Sequence, residues 1–354
     1  MIDSHSIRVG RRRSSVVSSR SLSRRAVIAA IAAIALSAAC GCANRDERPP
    51  FVPPAETPYR VEPWRFGVRD GHRITTDHYV VYTTVRDASL LDALPRALET
   101  TYAFLQYTVP TPCAGSERMQ VYLFANRDDW VRFTRATYPE KADLLTSIRN
   151  GGYTEGDVAV IEYVAHQVTG TLLAHEAMHQ YLHHCARQRV PAWLNEGLAV
   201  LCEGQRWHSD GLADFDPSFN PSRRNALAES LLRQETFPLS ELLRINAGHV
   251  VGGPVRDIAA YYAQVWALLL FLREGDEGRY AAGLDQLLEA LGDGRLEAHA
   301  AAASAASETG PLDAGTALFT AFISPDIETV DREYHRFMRQ RILGERVMAG
   351  VGVP

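Results

Sequence analysis

Apolar and polar positions along the chain change their period several times, and each change marks an expected element. His78–Val85 (HYVVYTTV) is dense in β-branched and aromatic residues and reads as a strand. From Leu90 to Tyr107 the apolar residues Leu94, Leu98, Phe104 and Leu105 recur at helical spacing, which predicts a helix. Met119–Phe124 (MQVYLF) reads as a second strand, and a short helix is expected over residues 128–137. After a Gly151-Gly152 turn, Asp157–Val164 (DVAVIEYV) alternates with a period of two and predicts a third strand. Beyond it the helical period dominates, over residues 168–186, 192–203, 223–234 and 257–273, with more helix after Arg279. The Ala-rich stretch 298–307 reads equally as helix or linker. Strands first and helices later describe an α+β fold: a small mixed sheet followed by a mainly helical C-terminal half.

One apolar run fits neither pattern. Residues 26–39 are small and apolar without a break and follow a basic stretch ending at Arg24-Arg25. As a helix the run spans about 21 Å, short of the roughly 30 Å of a hydrocarbon core. Basic flank, short apolar stretch and small residues together read as an export signal over residues 1–39. Its end, Leu36-Ser37-Ala38-Ala39-Cys40, resembles a bacterial lipoprotein signal, which implies a lipidated Cys40. Ser23-Arg24-Arg25 also resembles a twin-arginine export signal, and an uncleaved N-terminal anchor is the alternative attachment. Both place the body outside the cytoplasm, at the cell envelope.

The leader changes the meaning of the charge. The chain's net of -5 conceals seven arginines and one acid within residues 1–39, against 30 bases and 41 acids in the remainder. An acidic body argues against nucleic acid, whose phosphates need clustered Lys and Arg. Residues 44–63 hold six prolines, so 40–63 is expected to be a semi-extended spacer, with folding starting near Trp64. The body's cysteines are Cys113, Cys185 and Cys202. Cys185 and Cys202 each end one of two helices expected to face each other, which points to a Cys185–Cys202 disulfide. No CxxC occurs in the body, so a thiolate metal site has no support.

His175-Glu176-Ala177-Met178-His179 supplies candidate chemistry. Four residues on a helix turn through about 400°, so both imidazoles project from one face and can reach one metal ion. Glu176 then points into the space beside it, as a base that is not a ligand. A third ligand six residues past His179 is absent, because Cys185 stands there, and His183 and His184 read as surface residues at the helix end. Glu196 is the remaining candidate, in Pro191-Ala192-Trp193-Leu194-Asn195-Glu196-Gly197-Leu198-Ala199 on a following helix.

H-E-x-x-H followed by W-L-N-E-G-x-A resembles the gluzincin metallopeptidases, above all aminopeptidase N, and the broader peptidase MA-like family of secreted bacterial proteins. The resemblance spans roughly residues 153–272. It implies a zincin-like domain, set at 64–290 with a helical extension over 291–354, and one Zn2+ ion held by His175, His179 and Glu196. Glu176 would be the general base, with Asn195 and Trp193 packing and orienting Glu196. Tyr262, in Tyr262-Ala263-Gln264-Val265-Trp266, matches the family's oxyanion-stabilising Tyr, although Gln264-Val265 replaces its Lys-Gly and Tyr261 is adjacent. The G-x-M-E-N strand that grips a substrate amino group has no counterpart in residues 151–163, where only Glu155 and Glu162 offer a carboxylate. The expected function is a zinc-dependent peptidase acting on peptides or proteins. Its rival is a non-catalytic zinc-containing lipoprotein that binds peptides or cell-wall polymers.

Overall fold

The computed structural model describes residues 51–113, 117–148, 151–207, 213–245, 255–308 and 310–344. The leader, Cys40 and the start of the proline-rich segment lie outside the described residues. The chain opens with the antiparallel pair β1 (Arg60–Phe66) and β2 (Arg69–Thr75), joined through Gly67, whose φ of 58° suits a residue without Cβ. β3 (Tyr79–Thr83) continues the sheet antiparallel to β2. α1 (Ala88–Thr108) then crosses over to β4 (Met119–Phe124), which lies parallel to β3. α2 (Arg127–Thr137) and the short α3 (Ala142–Ser147) lead into a hairpin of β5 (Gly152–Glu155) and β6 (Val158–Glu162). β6 pairs parallel with β4, and β5 pairs antiparallel outside it, so the order is β1-β2-β3-β4-β6-β5 and β5 is an edge.

The two-residue period assigns each strand face to its own core. Met119, Val121 and Leu123 of β4, with Ala159 and Ile161 of β6, face the large core beneath α1 and the later helices. Phe124 and Val160 face the smaller cluster built on Trp130 of α2 and Leu145 of α3. The helical half comprises α4 (His166–Tyr181), α5 (Ala192–Cys202), a small hairpin of β7 (Gln205–Trp207) and β8 (Ala213–Phe215), α6 (Pro221–Arg233), α7 (Leu239–Leu242) and α8 (Val255–Glu274). After it come α9 (Ala281–Gly292), α10 (Leu296–Ala306), α11 (Ala314–Phe322) and α12 (Ile327–Met338). Residues as late as Val330, Tyr334 and Met338 belong to the same large core as the sheet. The result is a mixed α+β fold with a small mixed sheet, and the Ala-rich stretch is helical. Among the described residues, no helix is long and apolar enough to cross a membrane.

Three expectations need correction. β1 starts at Arg60, inside the segment read as spacer, and Phe51 already packs edge-on against Phe104 at 5.4 Å between ring centroids. Pro63 is tolerated there because β1 is an edge strand, where a missing N–H costs no ladder bond. The disulfide joins Cys113 to Cys185, and Cys202 is free and buried. The loop after α4 is short, so α5 begins beside the end of α4 and carries Cys202 away along its eleven residues, about 16 Å. A bridge needs Cα atoms within about 7 Å. A π-helical turn over Leu182–Ala186 instead delivers Cys185 to the segment that follows α1. The same turn buries His184, so only His183 is a surface residue, and both rings share Asp157 Oδ1 at 3.2 and 3.1 Å.

Candidate metal centre

α4 lies under the sheet's edge and presents His175 and His179 one turn apart, while α5 crosses it carrying Glu196. The two Nε2 atoms stand 3.2 Å apart, and Glu196 Oε2 lies 3.7 Å from that of His175 and 3.6 Å from that of His179. These three residues form a group that can hold one metal ion. A direct sign of fit is Glu196 Oε2 itself, a buried oxygen with no hydrogen-bond partner, aimed at two imidazole nitrogens. Leaving such an atom unsatisfied costs about 1–3 kcal/mol or more for a charged group, and a cation would remove that cost.

Each imidazole is held at its other nitrogen. His179 Nδ1 lies 3.1 Å from Asn195 Oδ1, an acceptor that sets this ring with its proton at Nδ1 and its lone pair at Nε2. Asn195 therefore orients His179, rather than the Glu196 beside it. His175 Nδ1 lies 2.9 Å from Glu203 Oε1, which plain motif reading missed. Glu203 is clamped by Arg223 through Nε (2.9 Å) and Nη2 (2.7 Å), and Asn220 Nδ2 donates to it at 2.9 Å. Burial would raise the Glu203 carboxyl, but the Arg223 charge and the His175 and Arg223 hydrogen bonds win and hold it at about 2. Burial likewise pushes His175 down, and the Glu203 bond, together with the charges of Glu203, Glu176 and Glu196, raises it on balance. The sequence did carry a signal for Glu203, which follows Glu196 by seven residues and so returns to the same face of a helix.

Glu176 is 5% exposed, next in sequence to His175 but outside the group that can hold a metal ion. Its Oε2 accepts a hydrogen bond from Thr154 Oγ1 of β5 at 2.7 Å. Tyr262 of α8 borders the same space, its ring 6.1 Å from that of His175 and 4.9 Å beneath the Arg223 guanidinium. Burial, then the Glu196 charge, pushes the Tyr262 hydroxyl well above its ordinary value, so it remains a proton-bearing donor. Tyr261 is wholly buried and its hydroxyl has no partner. Gln264 is occupied by structure: its amide holds both the N–H and the carbonyl of Phe237, at 2.7 and 2.9 Å. Trp193 is packed against Phe319, and Glu155 and Glu162 pair with Lys141 and Arg127. No protein-family model matches the chain, and no curated protein matches it.

Proposed function

We propose that the chain is an exported zinc peptidase with a zincin-like catalytic fold. The observation that carries this reading is the unpartnered Glu196 Oε2 facing two Nε2 atoms, with a second carboxylate, that of Glu176, alongside and outside the group. Two imidazoles and one carboxylate are the donor set of open zinc sites that hydrolyse amides. When bound there, zinc supplies an acidified water and polarises a scissile carbonyl. Glu176 accepts the proton released by the attacking water and returns it to the departing amine. Tyr262 donates to the oxygen that gains charge, a contribution typically worth about 10²–10³ in rate. Edge strand β5 offers main-chain groups to an extended peptide, consistent with a peptide or protein substrate. The Cys113–Cys185 bridge agrees with the oxidising surroundings that the leader predicts.

The test is zinc analysis of purified protein together with hydrolysis of a peptide mixture. Glu176→Gln is expected to keep stoichiometric zinc and lose cleavage, whereas Glu196→Ala is expected to lose tightly held zinc. Zinc retained at full stoichiometry by Glu196→Ala would remove Glu196 from the ligand set. Tightly held zinc without cleavage by the parent protein would favour the non-catalytic binding role instead.

A further inference from the structure

β5 is four residues long, yet both of its faces are committed. Tyr153 is buried on the far side, its hydroxyl 2.9 Å from Thr134 Oγ1 and its ring edge-on to Trp130 and Tyr138. With Tyr153 fixed, the two-residue period turns Gly152 and Thr154 toward α4. A slip of one residue would put Tyr153 or Glu155 where Thr154 stands. Gly152 permits the close approach: a Cβ there would stand 3.2 Å from Glu176 Cγ and 2.9 Å from Ile161 Cγ1. The strand can therefore lie directly against Glu176.

Thr154 Oγ1 lies 2.7 Å from Glu176 Oε2 and 3.3 Å from the Glu176 carbonyl. A hydroxyl carries one hydrogen, and the shorter, charge-assisted bond to the carboxylate takes it. We propose that Thr154 is a positioning residue for Glu176: its hydroxyl occupies Oε2, fixes the carboxylate's rotation and leaves Oε1 as the oxygen that accepts the proton. This rests on the peptidase reading. A Glu side chain has three torsions, and its terminal one is broad and roughly two-fold, so an unheld carboxylate spreads over orientations that do not face the reacting atoms. The hydroxyl removes that spread without adding a charge that would compete for the proton.

The experiment compares zinc-loaded wild type, Thr154→Val and Thr154→Ser. Valine keeps the shape and removes the donor, and serine keeps the donor and removes the methyl. Calorimetry measures the affinity for acetohydroxamic acid, which gives up its hydroxyl proton as it chelates zinc, the proton passing to Glu176. Zinc content and, for the best-cleaved peptide, kcat and KM are measured alongside. Thr154→Val is expected to keep its zinc, to bind the hydroxamate about tenfold more weakly and to lose about tenfold in kcat with KM unchanged, on the scale of one hydrogen bond to a charged group. Thr154→Ser is expected to recover both. Hydroxamate affinity equal to wild type in Thr154→Val, or equal weakening in Thr154→Ser, overturns the proposal. Failure of the parent reading looks different: a wild type that binds hydroxamate but cleaves nothing sinks the peptidase function, and the hydroxamate comparison still decides Thr154. A wild type that takes up no zinc overturns both.

Discussion

Two imidazoles that look equivalent in the motif are supported by unlike partners: an amide oxygen behind His179, and behind His175 a carboxylate already neutralised by a guanidinium. The consequence differs for substitution. Removing the charge at Glu203 strips His175 of its anionic partner and leaves Arg223 without a counter-ion in a largely buried position. Glu203→Gln is accordingly expected to weaken zinc about 10–100-fold, measured by competition with a chelator, and to lower Tm as well. Glu176, His175, His179 and Glu196 were all legible as a set, because helical spacing and a second motif on a following helix need no tertiary knowledge. Thr154 was not legible. Its role depends on which strand lies at the sheet's edge and on the register of a four-residue pairing, and neither is written locally.

Among the elements, α1 shows how a single terminal residue joins helix to sheet. Asp87 caps its first turn by accepting from the N–H groups of Ser89 and Leu90, and Tyr163, just past β6, donates to the same carboxylate at 2.7 Å. Hydrogen bonds from Ser89, then Tyr163 and Leu90, hold the carboxyl at about 2. A carboxyl depressed on folding stabilises above its unfolded value of about 3.9, and that contribution is lost as pH falls through the folded value. Asp87→Ala is therefore expected to cost about 1 kcal/mol near neutral pH. The gap in Tm between variant and wild type should close as pH falls from about 4 toward about 2; a gap independent of pH would deny the carboxylate its part. The longer elements were readable from period alone, α1, β4, α5 and α8 to within about three residues. β1 and β2 were not, because Pro63, Gly67, Gly71 and four arginines break the alternation that marks a buried strand. Their outer position makes that composition tolerable.

Across the whole molecule, long-range ties hold the centre in place. Tyr334 of α12 donates to the carbonyl of Gln264 at 2.6 Å, so the helix that carries Tyr262 is braced by a residue seventy positions later. The Cys113–Cys185 bridge spans 72 residues, and on chain-entropy grounds its removal costs about 3–5 kcal/mol. Replacing both cysteines by Ala is expected to lower the denaturant midpoint accordingly, while Cys202→Ala, which breaks no bridge, should lose only the cost of a buried small group. Equal losses in the two variants would contradict the pairing. No pattern in the sequence could select between three cysteines, since the choice turns on where a short loop starts α5. The bridge also has a topological consequence. It closes residues 113–185 into a covalent ring that contains β4, β5, β6 and α4. A single cut in the chain between β4 and β5 would give two pieces still joined through sulfur, with Thr154, His175, Glu176, His179 and Glu196 all on the second piece. The molecule can thus be nicked there and remain one particle, its candidate metal centre undivided.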